Sequence, residues 1–115
     1  MGRLTKVPTE NSPPRPPSSS RSVVGIARQV RRQSVPYRGN PGAWQLLTFR
    51  VDVVDARGNL LPPHAVELRG NEVLGNVEEG DWVEIDERPD RHGRVKSFVN
   101  LTTGARVRRK RNIIA

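Results

Sequence analysis

The sequence contains no cysteine. That excludes a disulfide scaffold, thiol chemistry and a zinc site of the usual cysteine-based kinds. His64 and His92 lie far apart and form no spaced ligand set, so neither a metal nor a cofactor is expected. No apolar run approaches the roughly 18 to 20 residues that span a bilayer. Residues 1–6 lack the apolar core of a signal peptide, and Lys6 stands where a myristoylation signal has Ser or Thr. A soluble, cytoplasmic protein with no membrane partner is therefore the expectation. Also missing are a Gly-rich phosphate loop, a nucleophile elbow, a paired-histidine motif and a kinase signature, so no enzyme is expected. Aromatics number only five, and hydrophobic residues make up 34% of 115. Such a chain supplies one small domain at most.

What is abundant is arginine. Cations number 20 against 12 anions, and all but Lys6, Lys96 and Lys110 are arginine. A GC-rich genome would give the same bias, but arginine also suits planar, bidentate phosphate contacts and stacking on flat rings. The net charge of +8 conceals a segregation. Residues 1–21 carry four cations and one anion, and residues 22–43 carry four cations and no anion. Residues 44–59 balance at two each. Residues 60–90 carry two cations against nine anions, and residues 91–115 carry eight cations and no anion. One acidic block thus lies between basic flanks, and if those flanks meet in the fold they form one electropositive face.

Residues 1–21 hold five of the ten prolines and three consecutive serines, which predicts a disordered, partly polyproline tail. Its Pro13-x-x-Pro16 and Pro14-x-x-Pro17 spacings suit a proline-reading partner or a plain linker. From Ser22 the pattern becomes short β-type runs between turn signals, with no sustained 3.6-residue period. The first run places Val24, Ile26 and Val30 on one parity, with Gly25 as a bend or bulge. In the second, Leu47, Phe49, Val51 and Val53 alternate with Leu46, Thr48, Arg50 and Asp52. A third run turns Val66 and Leu68 inward and Ala65, Glu67 and Arg69 outward. The fourth buries Val83 and Ile85 and leaves Trp82, Glu84 and Asp86 on the other side, as the wet face of the strand. The fifth runs from Arg94 through Phe98 to Leu101, with a continuation toward Val107. Residues 108–115 read as a basic tail.

The strand order resembles an OB-fold domain across residues 22–107. The resemblance rests on the run from Trp44 to Val54, on Val66-Glu67-Leu68-Arg69-Gly70, and on Gly75-Asn76-Val77-Glu78-Glu79-Gly80-Asp81-Trp82-Val83-Glu84-Ile85. It implies an all-β chain folded as a small five-stranded Greek-key barrel, flanked by the disordered N-terminal tail and the basic C-terminal tail. It also implies a ligand groove across strands two and three, between the loops at residues 35–43 and 88–93. Arg31, Arg32, Tyr37, Arg38 and Trp44 fall on one wall, and Arg91, Arg94 and Lys96 on the other. Arg50 would lie in the groove floor, or else pair with Asp52 or Glu67. Trp44 would stack on a base, or cover the barrel rim. The expected ligand is single-stranded DNA or RNA, bound non-enzymatically with little sequence preference, since neither an aromatic RNA-recognition signature nor a Gly-x-x-Gly clamp occurs. The alternative is an OB-like interaction module whose acidic strand-four face or Pro-rich tail contacts a protein partner.

Overall fold

The computed structural model describes residues 13–19, 22–37, 40–55 and 57–111, with backbone only for residues 37 and 40–43. Among these residues there is no helix, and so none long and apolar enough to cross a membrane. Seven strands follow one another: β1 (Val23–Tyr37), β2 (Asn40–Asp52), β3 (His64–Gly70), β4 (Glu72–Leu74), β5 (Trp82–Ile85), β6 (Ser97–Asn100) and β7 (Ala105–Lys110). They form a single antiparallel sheet in the order β3-β2-β1-β5-β6-β7-β4.

The period-two pattern decides the faces of most strands. Leu47, Phe49 and Val51 of β2, Val66 and Leu68 of β3, and Val83 and Ile85 of β5 are all buried. With Phe98 and Val107 they make one core, in which the rings of Phe49 and Phe98 meet at 4.9 Å and a tilt of 58°. Each such side chain contributes about 1.5–3 kcal/mol on full burial.

β1 departs from the expected parity at Val24 and Ile26, whereas Val30 packs against the core as expected. Its core side is Val23, Gly25 and Ala27, which pair with Ile85, Val83 and Val51. Val24 and Ile26 face the opposite side, with Glu84 and Trp82. Gly25 suits the core side closely: a Cβ on it would lie 2.4 Å from the Asp52 carbonyl oxygen, so β2 approaches β1 too closely here for a larger residue. The bulge is not at Gly25 but at Gln29 and Val30, between the pairs Arg28↔Arg50 and Arg31↔Thr48. Gln29 has φ of 55°, and the amides of Gln29 and Val30 both donate to the Glu79 carboxylate at 3.1 Å.

The five expected runs become seven strands in one sheet that is not closed into a barrel. Two breaks account for the number. β4 forms in residues 70–77, beyond the third run and separated from β3 by Asn71, and residues 101–104 turn the fifth back on itself as the β6–β7 hairpin. Asn100 holds that turn, accepting from the amides of Thr102 and Thr103 at 2.9 and 3.2 Å. The end strands β3 and β4 are thus consecutive in the chain. The outer edge of β3 is covered by a parallel bridge between Glu67 and Arg94, with Glu67 N donating to Gly93 O at 2.9 Å. Gly93 is needed there, since its φ is 79° and a Cβ would sit 2.6 Å from Ala65 O.

Both tails contribute more structure than their composition suggests. β7 takes in Arg108, Arg109 and Lys110, the start of the segment expected to be a tail. At the other end, Arg15 and Ser18 bond the carboxylate of Glu84. Glu84 is consequently fully buried, not on a wet face. Alternation along a strand separates two sides but leaves open what covers each of them.

Candidate nucleic-acid interface

Cross-strand partners in an antiparallel sheet share a face, so the register assigns the cations. Three rows lie on the outer side of β1, β2 and β3: Arg28, Arg50 and Ala65; Arg31, Thr48 and Glu67; and Gln33, Leu46 and Arg69. Trp44, opposite Val35, continues the same face of β2. The bulge is what brings Arg31 here. With regular pairing beyond Arg28↔Arg50, Arg31 would fall opposite Leu47 and turn inward. Arg32 takes that inward row with Leu47 and Leu68, and its guanidinium donates to Gly75 O at 2.8 Å and Asn76 Oδ1 at 3.1 Å. It ties β1 to the turn after β4 and stands outside the groove, which corrects its expected place.

Two concavities occupy this side of the molecule. One, of about 700 Å³, is lined by Arg31, Thr48, Arg50, Glu67 and His92 among others. The second, of about 670 Å³, is lined by Trp44, Arg69, Arg88, Arg94, Lys96 and Arg109, with Arg111 beside them. Glu67 on the first and Arg94 on the second form an ion pair at 2.8 Å, so the pair marks their junction. Arg69 also approaches Glu67, at 3.6 Å.

The expected residues are therefore divided between two basins. Arg31 and Arg50 are in one, and Trp44, Arg94 and Lys96 in the other. Arg50 adopts its alternative role, donating to both oxygens of Asp52 at 2.8 and 3.3 Å. Arg91 is exposed in a turn and lines neither basin. Arg38 and the side chain of Tyr37 lie outside the described residues. Arg69, Arg109 and Arg111 join the site unannounced, while Arg88 comes from the loop expected at residues 88–93. Arg69 had a legible signal, the outward parity of a strand that the groove crosses. Arg109 and Arg111 had none, because an unbroken basic run carries no apolar period to mark it as a strand.

The second basin also contains two carboxylates, and both are occupied by the backbone of their own loop. Asp90 accepts from the amides of His92 and Arg94 at 2.8 and 3.0 Å, and Glu87 from those of Lys96 and Ser97 at 3.0 and 3.2 Å. The amides of Arg94 and His92 hold the Asp90 carboxyl below the usual carboxylate range. Arg88, Lys96 and Arg109, in contrast, make no ion pair or side-chain hydrogen bond among the described residues. The Arg111 guanidinium stands over the Trp44 ring at 5.7 Å from its centroid, within cation–π range.

The chain matches no known family model, curated protein or solved structure.

The acidic block is largely spent on internal bonds. Asp86 takes Arg106 at 2.6 Å, and that contact raises the pKa of the guanidinium further. Glu79 ties down the bulge, and Glu84 is buried. Among the described residues no three acidic or histidine side chains cluster closely enough to hold a metal ion.

Proposed function

We propose that the outer face of β1, β2 and β3, with the basin around Trp44, binds single-stranded DNA or RNA with little sequence preference. One observation carries this reading: Arg88, Lys96 and Arg109 surround an open concavity beside Trp44 without a carboxylate partner among the described residues. Unpaired guanidinium and ammonium groups around a flat ring are what a phosphate backbone with unstacked bases requires. Phosphates would take the cations, and a base would stack on Trp44 or on the Arg111 plane above it. The OB-like reading of the fold is part of this proposal. Its support is that β1 pairs with β2 on one edge and β5 on the other, while β3 meets residues 93–95 in parallel.

Counterion release makes the proposal quantitative. Five phosphate contacts to a single strand lower affinity by about a hundredfold between about 50 and about 200 mM salt. The test is oligonucleotide binding by fluorescence anisotropy across that range. Replacing Arg88 and Arg109 together by Ala should reduce the logarithmic salt slope by about 1.4, at roughly 0.7 for each lost contact. Arg32→Ala, which removes a cation from outside the groove, should leave the slope unchanged. Absence of binding at the lowest salt would sink the proposal.

A further inference from the structure

Glu84 lies on the side of β5 away from the core, yet its side chain is fully buried. Its oxygens are bonded by a short stretch near the amino terminus. Arg15 Nη2 donates to Oε1 at 2.6 Å, while Ser18 donates to Oε2 through both its amide and its hydroxyl, each at 2.7 Å. The hydroxyl of Ser22 stands 3.3 Å from that of Ser18 and 3.2 Å from that of Ser19. Burial pushes the Glu84 carboxyl up, but the Ser18 amide, the two hydroxyls and Arg15 outweigh it and hold the group below its ordinary range. The result is a clasp: one buried anion, gripped by a cation and a hydroxyl three residues apart in sequence. Pro16 and Pro17 lie between them and restrict the spacing. Arg15 is half exposed and residues 13–19 are all exposed, so the segment is open to reagents from solvent.

We propose that Ser18 is a phosphorylation site and that its phosphate opens this clasp. The Arg15-Pro16-Pro17-Ser18 segment places a guanidinium three residues ahead of the acceptor hydroxyl, a spacing that the acidic surface of an arginine-directed serine kinase can hold. In the transfer, a bond forms between Ser18 Oγ and the γ-phosphorus of ATP. The bond from that phosphorus to the bridging oxygen of ADP breaks, ADP leaves, and the hydroxyl proton passes to solvent. The product has lost the O–H that donates to Glu84. It instead sets close to two negative charges against a carboxylate oxygen previously 2.7 Å from Ser18 Oγ. Arg15 gains a competing anion on its own segment, so both hands of the clasp are weakened by one modification. Glu84 is rehydrated as the segment leaves, and the sheet behind it keeps its core. This inference is independent of nucleic-acid binding.

The experiment uses the full chain. It is incubated with an arginine-directed serine kinase and ATP, and the phosphate is located by mass spectrometry. Amide exchange at Ser18 and Ser22 is then compared among the unmodified protein, the phosphorylated protein, S18A and S18E. The expected result is phosphate on Ser18, with exchange at both amides faster by about tenfold or more in the phosphorylated protein and in S18E, as loss of a charge-assisted bond implies. Exchange in β2 and β6 stays as in the unmodified protein. S18A, which removes the hydroxyl without adding charge, exchanges at an intermediate rate. Phosphate only on Ser12, Ser19 or Ser20 overturns the proposal. So does phosphorylated Ser18 with both amides still protected. Loss of protection throughout β2 overturns the claim that the clasp opens alone.

Discussion

Gly25 and Glu84 face opposite sides of the sheet, and each owes its state to a neighbour distant in sequence. A Cβ at position 25 would meet Asp52 O at 2.4 Å and the Val51 side chain at 2.7 Å. Backbone cannot yield there without breaking the β1–β2 ladder. Gly25→Ala is therefore expected to destabilise the protein by about 1–3 kcal/mol, the usual cost of overpacking, measured as a lower midpoint in urea. The glycine itself was visible in the sequence as a break in an apolar run. Its close approach to β2 was not, since residues 25 and 52 are brought together only by the long β1–β2 hairpin. For Glu84 the sequence showed the strand and the parity correctly. What it omitted was the cover supplied by residues 13–19, a stretch whose proline and serine content resembles that of a disordered tail.

At the scale of elements, β2, β3, β5 and the first half of the β6–β7 hairpin follow from alternation alone. Leu47, Phe49 and Val51 occupy the core as their spacing requires. The boundary between β6 and β7 was less legible, because Thr102-Thr103-Gly104 is compatible with an extended continuation as well as with a turn. Asn100 decides it. Fully buried, it accepts from two turn amides and donates to Asn76 O at 3.0 Å and Asp81 Oδ2 at 2.9 Å. Asn100→Ala leaves several of these groups without a partner, and should cost about 1–3 kcal/mol. Faster amide exchange at Thr102 and Thr103 would accompany the loss, and unchanged exchange there would show that the turn stands without Asn100. The bulge in β1 is likewise an element-level event. It shifts the register after Arg28, and so determines that Arg31, not Arg32, belongs to the outer face.

Over the whole molecule, carboxylates that bond backbone amides hold the turns in shape and, at Glu79, tie one to the sheet. Asn59 N leads in holding Asp55 below its ordinary pKa, the Val30 and Gln29 amides do so for Glu79, and those of Arg94 and His92 for Asp90. Glu84 is lowered as well, by the bonds of its clasp. For each group the folded pKa lies below the unfolded one, so on acidification the unfolded chain takes up protons first. Their stabilisation is complete above the unfolded value, about pH 4 to 5, and is lost as pH falls through the folded values. Urea midpoints should thus be flat from about pH 7 to about pH 5 and fall at lower pH. A midpoint independent of pH throughout the acid range would contradict this. The sequence by itself determined the lack of cysteine chemistry, the β character, the inward residues of most strands and the separation of acidic from basic segments. These are properties of composition or of a period of two, which act over a few residues. Only the tertiary structure decided which cations share a concavity, which are already paired, and which carboxylate is buried. Those depend on register, on a bulge and on contacts between residues tens of positions apart. Local alternation sets which side a residue faces, whereas the partner it meets there is set by the path of the whole chain.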